Sequence, residues 1–123
     1  MESRGKTTIL IVDDEKTAHQ LYTIMLESAG YQLLHAENGK EAVDLFAGNP
    51  GINLILMDIK MPVMDGYEAT RQIKKINGHV PIIAQTAYAL PADQKQAREA
   101  GCNAHLSKPV SRPILIETIQ KYI

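Results

Sequence analysis

Two short runs constrain what this chain can fold into: Ile9-Leu10-Ile11-Val12 and Leu54-Ile55-Leu56-Met57. Each is apolar at every position, and each is stopped by an aspartate, Asp13 and Asp58. A strand with one face in water alternates apolar and polar residues. A strand apolar throughout needs cover on both faces. Helices on the two sides of a parallel sheet provide that cover.

The rest of the chain supplies the helices. From Lys16 to Ala29, Ala18, Leu21, Tyr22, Met25 and Ala29 recur at helical spacing, and Gly30 stops the pattern. Gln32 to Ala36 is a second, weaker strand. Asn38 with Glu41 resembles a capping box and opens a helix carrying Ala42, Val43, Leu45 and Phe46. Asp65 and Glu68 repeat that spacing before Ala69, Ile73 and Ile76, and Asn77-Gly78 closes the helix. Val80 to Ala84 reads as a fourth strand, with Pro81 tolerated near its start. Pro91 to Ala100 is a fourth helix, ended by Gly101. Ala104-His105-Leu106 is a short fifth strand. Ser111 caps the last helix, Pro113 lies in its first turn, and Ile116, Ile119 and Ile123 form its apolar stripe. These are five βα units. Right-handed crossovers arrange them as an α/β, doubly wound, five-stranded parallel sheet flanked by five helices.

With 123 residues, the chain fits one domain, 1–123, with Met1 to Lys6 as a polar N-terminal tail. A net charge of −1 and the absence of any Lys/Arg run argue against nucleic-acid contact. The apolar run 9–12 is too short for a signal-peptide core or a membrane span, so a cytoplasmic protein without membrane contact is expected. The lone cysteine, Cys102, excludes an internal disulfide and a cysteine-rich metal site, and a structural role is expected for it.

Ligands in open α/β sheets bind beyond the carboxyl ends of the strands. There the first strand carries Asp13, Asp14 and Glu15, the third Asp58, the fourth Gln85 and Thr86, and the fifth Ser107 and Lys108. If the first and third strands are neighbours, three carboxylates converge. Their repulsion is relieved by protonation or by a cation. An all-oxygen donor set favours Mg²⁺, Mn²⁺ or Ca²⁺ over zinc, and Mg²⁺ suits an open site that also takes a phosphate. Asp58 is then a candidate nucleophile toward phosphorus, Lys108 a point charge for one phosphoryl oxygen, and the Thr86 hydroxyl a donor to another. The bland alternative for Asp14 or Glu15 is capping of the first helix.

The segments 9–15, 56–66 and 81–87 and the pair Lys108-Pro109, taken in order, resemble the response-regulator receiver domain of two-component signalling over Thr8 to Ile123. The resemblance implies a flavodoxin-like sheet with strand order 2-1-3-4-5. It implies phosphorelay signal transduction: Asp58 accepts a phosphoryl group from a phosphohistidine, and a partner-binding surface switches. By the same resemblance Asp13, Asp14, Asp58 and the Lys60 carbonyl hold Mg²⁺ (or Mn²⁺), Thr86 is the switch hydroxyl, Lys108 contacts the phosphoryl group, and the Lys108–Pro109 peptide is cis. The implied partners are a sensor histidine kinase or a histidine phosphotransfer domain and an unnamed downstream protein. The domain is not an enzyme beyond its own phosphorylation and dephosphorylation. The resemblance fits a stand-alone regulator and a piece of a longer chain, such as a hybrid sensor kinase, equally well.

One position departs from the family. Where it usually carries Tyr or Phe, three residues before the lysine, this chain has His105, a polar ring that titrates near neutral pH. His105 is either a weakened switch or a half-buried residue with no switch role. Lys60 and Tyr88 flank the site and are expected to shield an acyl phosphate from water. Gly66 reads as a permissive turn residue, and Pro62 and Met64 as loop shape and packing. The fourth helix, anchored by alanines with Leu90 just before it, reads either as an easily displaced element or simply as a solvated helix. His19, Tyr22 and Thr23 are candidates for docking a phosphodonor, with Tyr22 equally readable as core. Two other functions compete. An aspartyl-phosphate hydrolase of the haloacid-dehalogenase type normally has a second Asp where this chain has Lys60. A pseudo-receiver would bind partners without phosphorylation.

Overall fold

The five strands are parallel and lie in the order β2-β1-β3-β4-β5 in the computed structural model, which describes residues 7–61, 63–86 and 91–123. The tail 1–6, Pro62, Tyr88 and Leu90 lie outside the described residues. The elements are β1 (Thr8–Val12), α1 (Lys16–Glu27), β2 (Gln32–Ala36), α2 (Gly39–Gly48), β3 (Leu54–Asp58), α3 (Gly66–Ile76), β4 (Ile82–Thr86), α4 (Pro91–Ala100), β5 (Ala104–Ser107) and α5 (Arg112–Gln120).

The continuously apolar runs occupy the middle of the sheet, where both faces are covered. Every residue of β3 and β4 is buried, whereas the edge strands β2 and β5 are mostly half-exposed. Alternate residues feed two cores. Leu10, Val12, Ile55, Met57, Ile82 and Ala84 face α2, α3 and α4. Ile9, Ile11, Leu54, Leu56 and Ile83 face α1 and α5, where Tyr22, Leu26, Leu115 and Ile119 meet them.

Helix starts follow the capping chemistry. Asn38, Asp65 and Ser111 each accept a hydrogen bond from the backbone N–H three residues on. Gly30 and Gly101 adopt φ of +89° and +113° just past their helices, a conformation that favours glycine.

Several boundaries differ from expectation. The fourth strand is Ile82–Thr86 rather than Val80 to Ala84, because polar Gln85 and Thr86 keep pairing: their carbonyls accept from Ile59 N–H at 3.2 Å and Lys108 N–H at 2.8 Å. The Val80 carbonyl instead takes the Lys74 ammonium at 2.7 Å, which also reaches Asn103 Oδ1 at 2.9 Å. Asn103 in turn accepts from Ile82 N–H at 3.0 Å, so one lysine ties α3 to the starts of β4 and β5. The first helix ends at Glu27, and Ala29 lies in the tight turn beyond it, its N–H on the Leu26 carbonyl at 3.1 Å. The last helix buries Ile119 of the expected stripe together with Leu115, and Ile116 packs partly buried beside them, whereas Ile123 lies past the helix end and is exposed.

Candidate functional site

Strand order reverses at β1, with β2 on one side and β3 on the other. The loops after β1 and β3 therefore part and leave a crevice at their carboxyl ends. Pairing of Val12 with Met57 brings the next residues, Asp13 and Asp58, to its two walls. Both are nearly closed off from solvent, at 1% and 6% exposure, while Asp14 stands exposed at the rim. One carboxylate oxygen from each of Asp13, Asp14 and Asp58 lies within 4.8 Å of the others.

Lys108 reaches the crevice from the far side of β4. Its N–H donates to the Thr86 carbonyl at 2.8 Å as the chain leaves β5, and the following peptide to Pro109 is cis. Its ammonium donates to Asp13 Oδ2 at 2.8 Å and sits 3.5 Å from Asp58 Oδ1. The other Asp13 oxygen accepts from Glu15 N–H at 3.0 Å, so both of its oxygens are engaged. Glu15 is the residue before α1, and its side chain makes no capping bond. The capping alternative for that residue therefore falls.

The electrostatics set the two ends of the Lys108–Asp58 pair in opposition. Burial, then the Asp13 charge, push the Asp58 carboxyl up to about 6, against the pull of Lys108. Burial pulls the Lys108 ammonium down, but its hydrogen bond to Asp13 and the charges of Asp58 and Asp13 outweigh this and leave it raised. Three carboxylates gathered around one ammonium make a site short of positive charge. The oxygen-only donor set and the exposed rim fit a hard cation such as Mg²⁺.

Thr86, the last residue of β4, is 4% exposed and lies on the α4 face. Together with Lys60, Asp65, Tyr67 and Asp93 it lines a hollow of about 440 Å³ beside the acidic crevice. His105 lies on β5, also toward α4, half-buried, with Nε2 shut off from solvent and unpartnered. Burial lowers its pKa, opposed by Asp93. Cys102 is buried, and burial pushes its thiol up.

Four residues carry more, or other, weight than the sequence suggested. A Cβ on Gly66 would lie 2.3 Å from the Asp58 carbonyl oxygen. Close approach of α3 to the Asp58 backbone, not turn permissiveness, is what demands glycine there. Tyr22 is 4% exposed and belongs to the core, so it is not a docking residue. Its hydroxyl pKa rises to about 12 through burial, with Lys108 pulling it back and Asp13 and Asp58 adding to the rise. The ring lines a hollow together with Glu15, Lys108 and Pro109. His19 and Thr23 are engaged locally, His19 Nε2 with the Asp13 carbonyl at 2.8 Å and Thr23 Oγ1 with the His19 carbonyl at 2.8 Å.

A sheet of this order with an acidic crevice and an opposed lysine has the architecture of a signalling receiver. The response regulator receiver domain family matches residues 9–120, and the chain belongs to that family. Among curated proteins it is 40% identical over 118 residues to the polar-differentiation response regulator DivK of Brucella anthropi, covering 94% of this chain and 95% of that one. Among solved structures, the chemotaxis protein CheY4 of Vibrio cholerae superposes with a TM-score of 0.91 at 26% identity, covering 97% of this chain and 100% of that one. The receiver domain of sensor histidine kinase PA1611 of Pseudomonas aeruginosa, with a magnesium ion coordinated in its active-site cleft, superposes with a TM-score of 0.88 at 38% identity. That match covers 96% of this chain and 98% of the other. The chain is thus a receiver of two-component signalling.

Proposed function

We propose that Asp58 accepts the phosphoryl group, and that Mg²⁺ is held by the Asp13, Asp14 and Asp58 carboxylates and the Lys60 carbonyl. The observation that carries this is the convergence of three carboxylate oxygens within 4.8 Å, faced by the Lys108 ammonium. Bound Mg²⁺ supplies positive charge that lets an anionic phosphoryl group approach. An Asp58 oxygen forms a bond to phosphorus while the phosphorus–nitrogen bond of a phosphohistidine breaks. The electron pair of that bond stays on the donor imidazole, which takes up a proton. Lys108 shifts from Asp13 toward a phosphoryl oxygen, and the Thr86 hydroxyl donates to another.

The donor is a sensor histidine kinase or a histidine phosphotransfer domain, and the readout is a downstream protein that binds the switched surface. Thr86 and His105 share the α4 face, and a cavity of about 160 Å³ lies beside His105. Thr86 movement is followed there by His105 turning inward. Among the described residues no helix is long and apolar enough to cross a membrane. We assign residues 1–123 to one cytoplasmic receiver domain that catalyses only its own phosphorylation and dephosphorylation.

Incubation with acetyl phosphate and Mg²⁺, followed by intact mass, tests the assignment. One phosphoryl adduct, lost in Asp58→Asn and without Mg²⁺, is expected. An unmodified chain would make this a pseudo-receiver, and turnover of phosphate esters would make it a hydrolase.

A further inference from the structure

A second group of ligand-type atoms lies on the opposite flank of β1, and the phosphoryl chemistry leaves it unused. His19, on α1, and the exposed His35, on the edge strand β2, bring their Nδ1 atoms to 2.7 Å. Their ring centroids are 4.9 Å apart and the ring planes are inclined at 61°. Nε2 of His19 lies 2.8 Å from the Asp13 carbonyl oxygen. A carbonyl only accepts, so this nitrogen carries a proton and donates it. In neutral His19 the Nδ1 atom is then a lone pair, and it faces His35. Histidines that ligate metals are commonly held in this manner. The far ring nitrogen donates to a carbonyl or carboxylate, which fixes the tautomer and aims the near one.

We propose that His19 and His35 form a binding site for a borderline transition-metal cation of the Zn²⁺ class, separate from the oxygen-lined Mg²⁺ site. Imidazole nitrogens select such ions over Mg²⁺. Two nitrogens on one tetrahedral zinc, each at about 2.0–2.1 Å, lie roughly 3.3 Å apart. The exposed His35 ring has to move outward by a fraction of an ångström and turn so that both Nδ1 lone pairs converge on the ion. The proton that His35 holds on Nδ1 is released to solvent, and Nε2 takes one up, so the imidazole stays neutral as it ligates. The same groove, about 710 Å³, is lined by Glu37 and Glu41 against the single ammonium of Lys16, a balance that attracts a cation. Waters or a groove carboxylate complete the shell. The bound ion would clamp α1 to the sheet edge on the side of β1 away from Asp58.

Calorimetric titration of Zn²⁺ into the full chain, with Mg²⁺ in large excess to occupy the acidic crevice, tests the site. One Zn²⁺ per chain is expected, with affinity lowered at least about tenfold in both His35→Ala and His19→Ala. His35→Ala should still load Asp58 from acetyl phosphate and Mg²⁺ at the wild-type rate, since the exposed edge ring is remote from the acceptor chemistry. In NMR spectra, Ni²⁺ should broaden the ring signals of residues 19 and 35 before any other. Absence of zinc binding, unchanged affinity in His35→Ala, or one ion per two chains would overturn the proposal. So would loss of zinc binding and of Asp58 loading together, because a separate site would not couple them.

Discussion

Helices α3 and α4 cover the same side of the sheet and differ by one residue in length, yet they are held very differently. α3 buries Gly66, Tyr67, Ala69, Thr70 and Ile73, is capped by Asp65, and is tied at its far end by Lys74. α4 buries only Ala97 and Ala100 among its described residues. A buried isoleucine contributes about 1.5–3 kcal/mol and a buried methyl group about 0.8 kcal/mol, so the anchoring of α4 is several-fold weaker. The weaker helix is the one that faces Thr86 and His105. A signalling surface needs an element whose position costs little to change, and here that element adjoins one that does not move cheaply.

The largest effect should come from cutting α3's anchor. Ile73→Ala should lower global stability by roughly 2–5 kcal/mol in urea denaturation, whereas Ala97→Gly in α4 should cost no more than about 2 kcal/mol, about half of it helix propensity. Equal losses would break the contrast.

A somewhat smaller effect concerns the acceptor carboxyl, whose backbone abuts the start of α3. Its folded pKa, about 6, lies above the usual carboxylate value. The stability it contributes in the metal-free protein is therefore complete below about pH 4 and is lost as pH rises through 6. Relative to Asp58→Asn, the wild type should lose on the order of 2–3 kcal/mol between pH 4 and 7.5 in chelator. A flat difference between the two would show that the acceptor is not strained by burial. Mg²⁺, which requires the ionised form, should bind more tightly as pH rises through the same range.

Smaller again is the effect of Lys108→Ala. It removes a resident positive charge and should tighten Mg²⁺ about tenfold, roughly 1.4 kcal/mol, by fluorescence or calorimetric titration. Weaker Mg²⁺ binding would mean that the lysine organises the carboxylates more than it competes for them.

The subtlest test sharpens the contrast itself. With Mg²⁺ and beryllofluoride as phosphoryl analogue, amide exchange should change in α4 and stay constant in α3. His105→Tyr should enlarge the α4 change and strengthen its coupling to partner affinity, because a phenol would fill the cavity that His105 lines with less polar cost than an imidazole whose Nε2 is already unpartnered. An α3 response equal to that of α4 would remove the distinction.

Much of this was legible in the residues. Runs apolar at every position mark central strands, and the aspartates ending two of them mark the crevice, because strand ends of a doubly wound sheet face one edge. Caps at Asn38, Asp65 and Ser111 were readable for the same local reason. What escaped depends on contacts between distant parts of the chain. Leu26 and Leu115 are fully buried, but helical phase is ambiguous where apolar residues are adjacent. Polar Gln85 and Thr86 stay in β4 because their neighbours keep pairing, which hydrophobicity does not report. The meeting of His19 with His35, and of Lys74 with Asn103, needs the folded path of the chain.

The lysine at the end of α3 gives the molecule a fixed jaw. By gripping the carbonyl of Val80 and the amide side chain of Asn103, its ammonium welds that helix to the roots of two strands. A displacement started by the acceptor then has little room to leak backward into the body of the sheet. Among the described residues α4, which buries only Ala97 and Ala100, is the cover more easily moved, and under the proposed mechanism a displacement is funnelled to it.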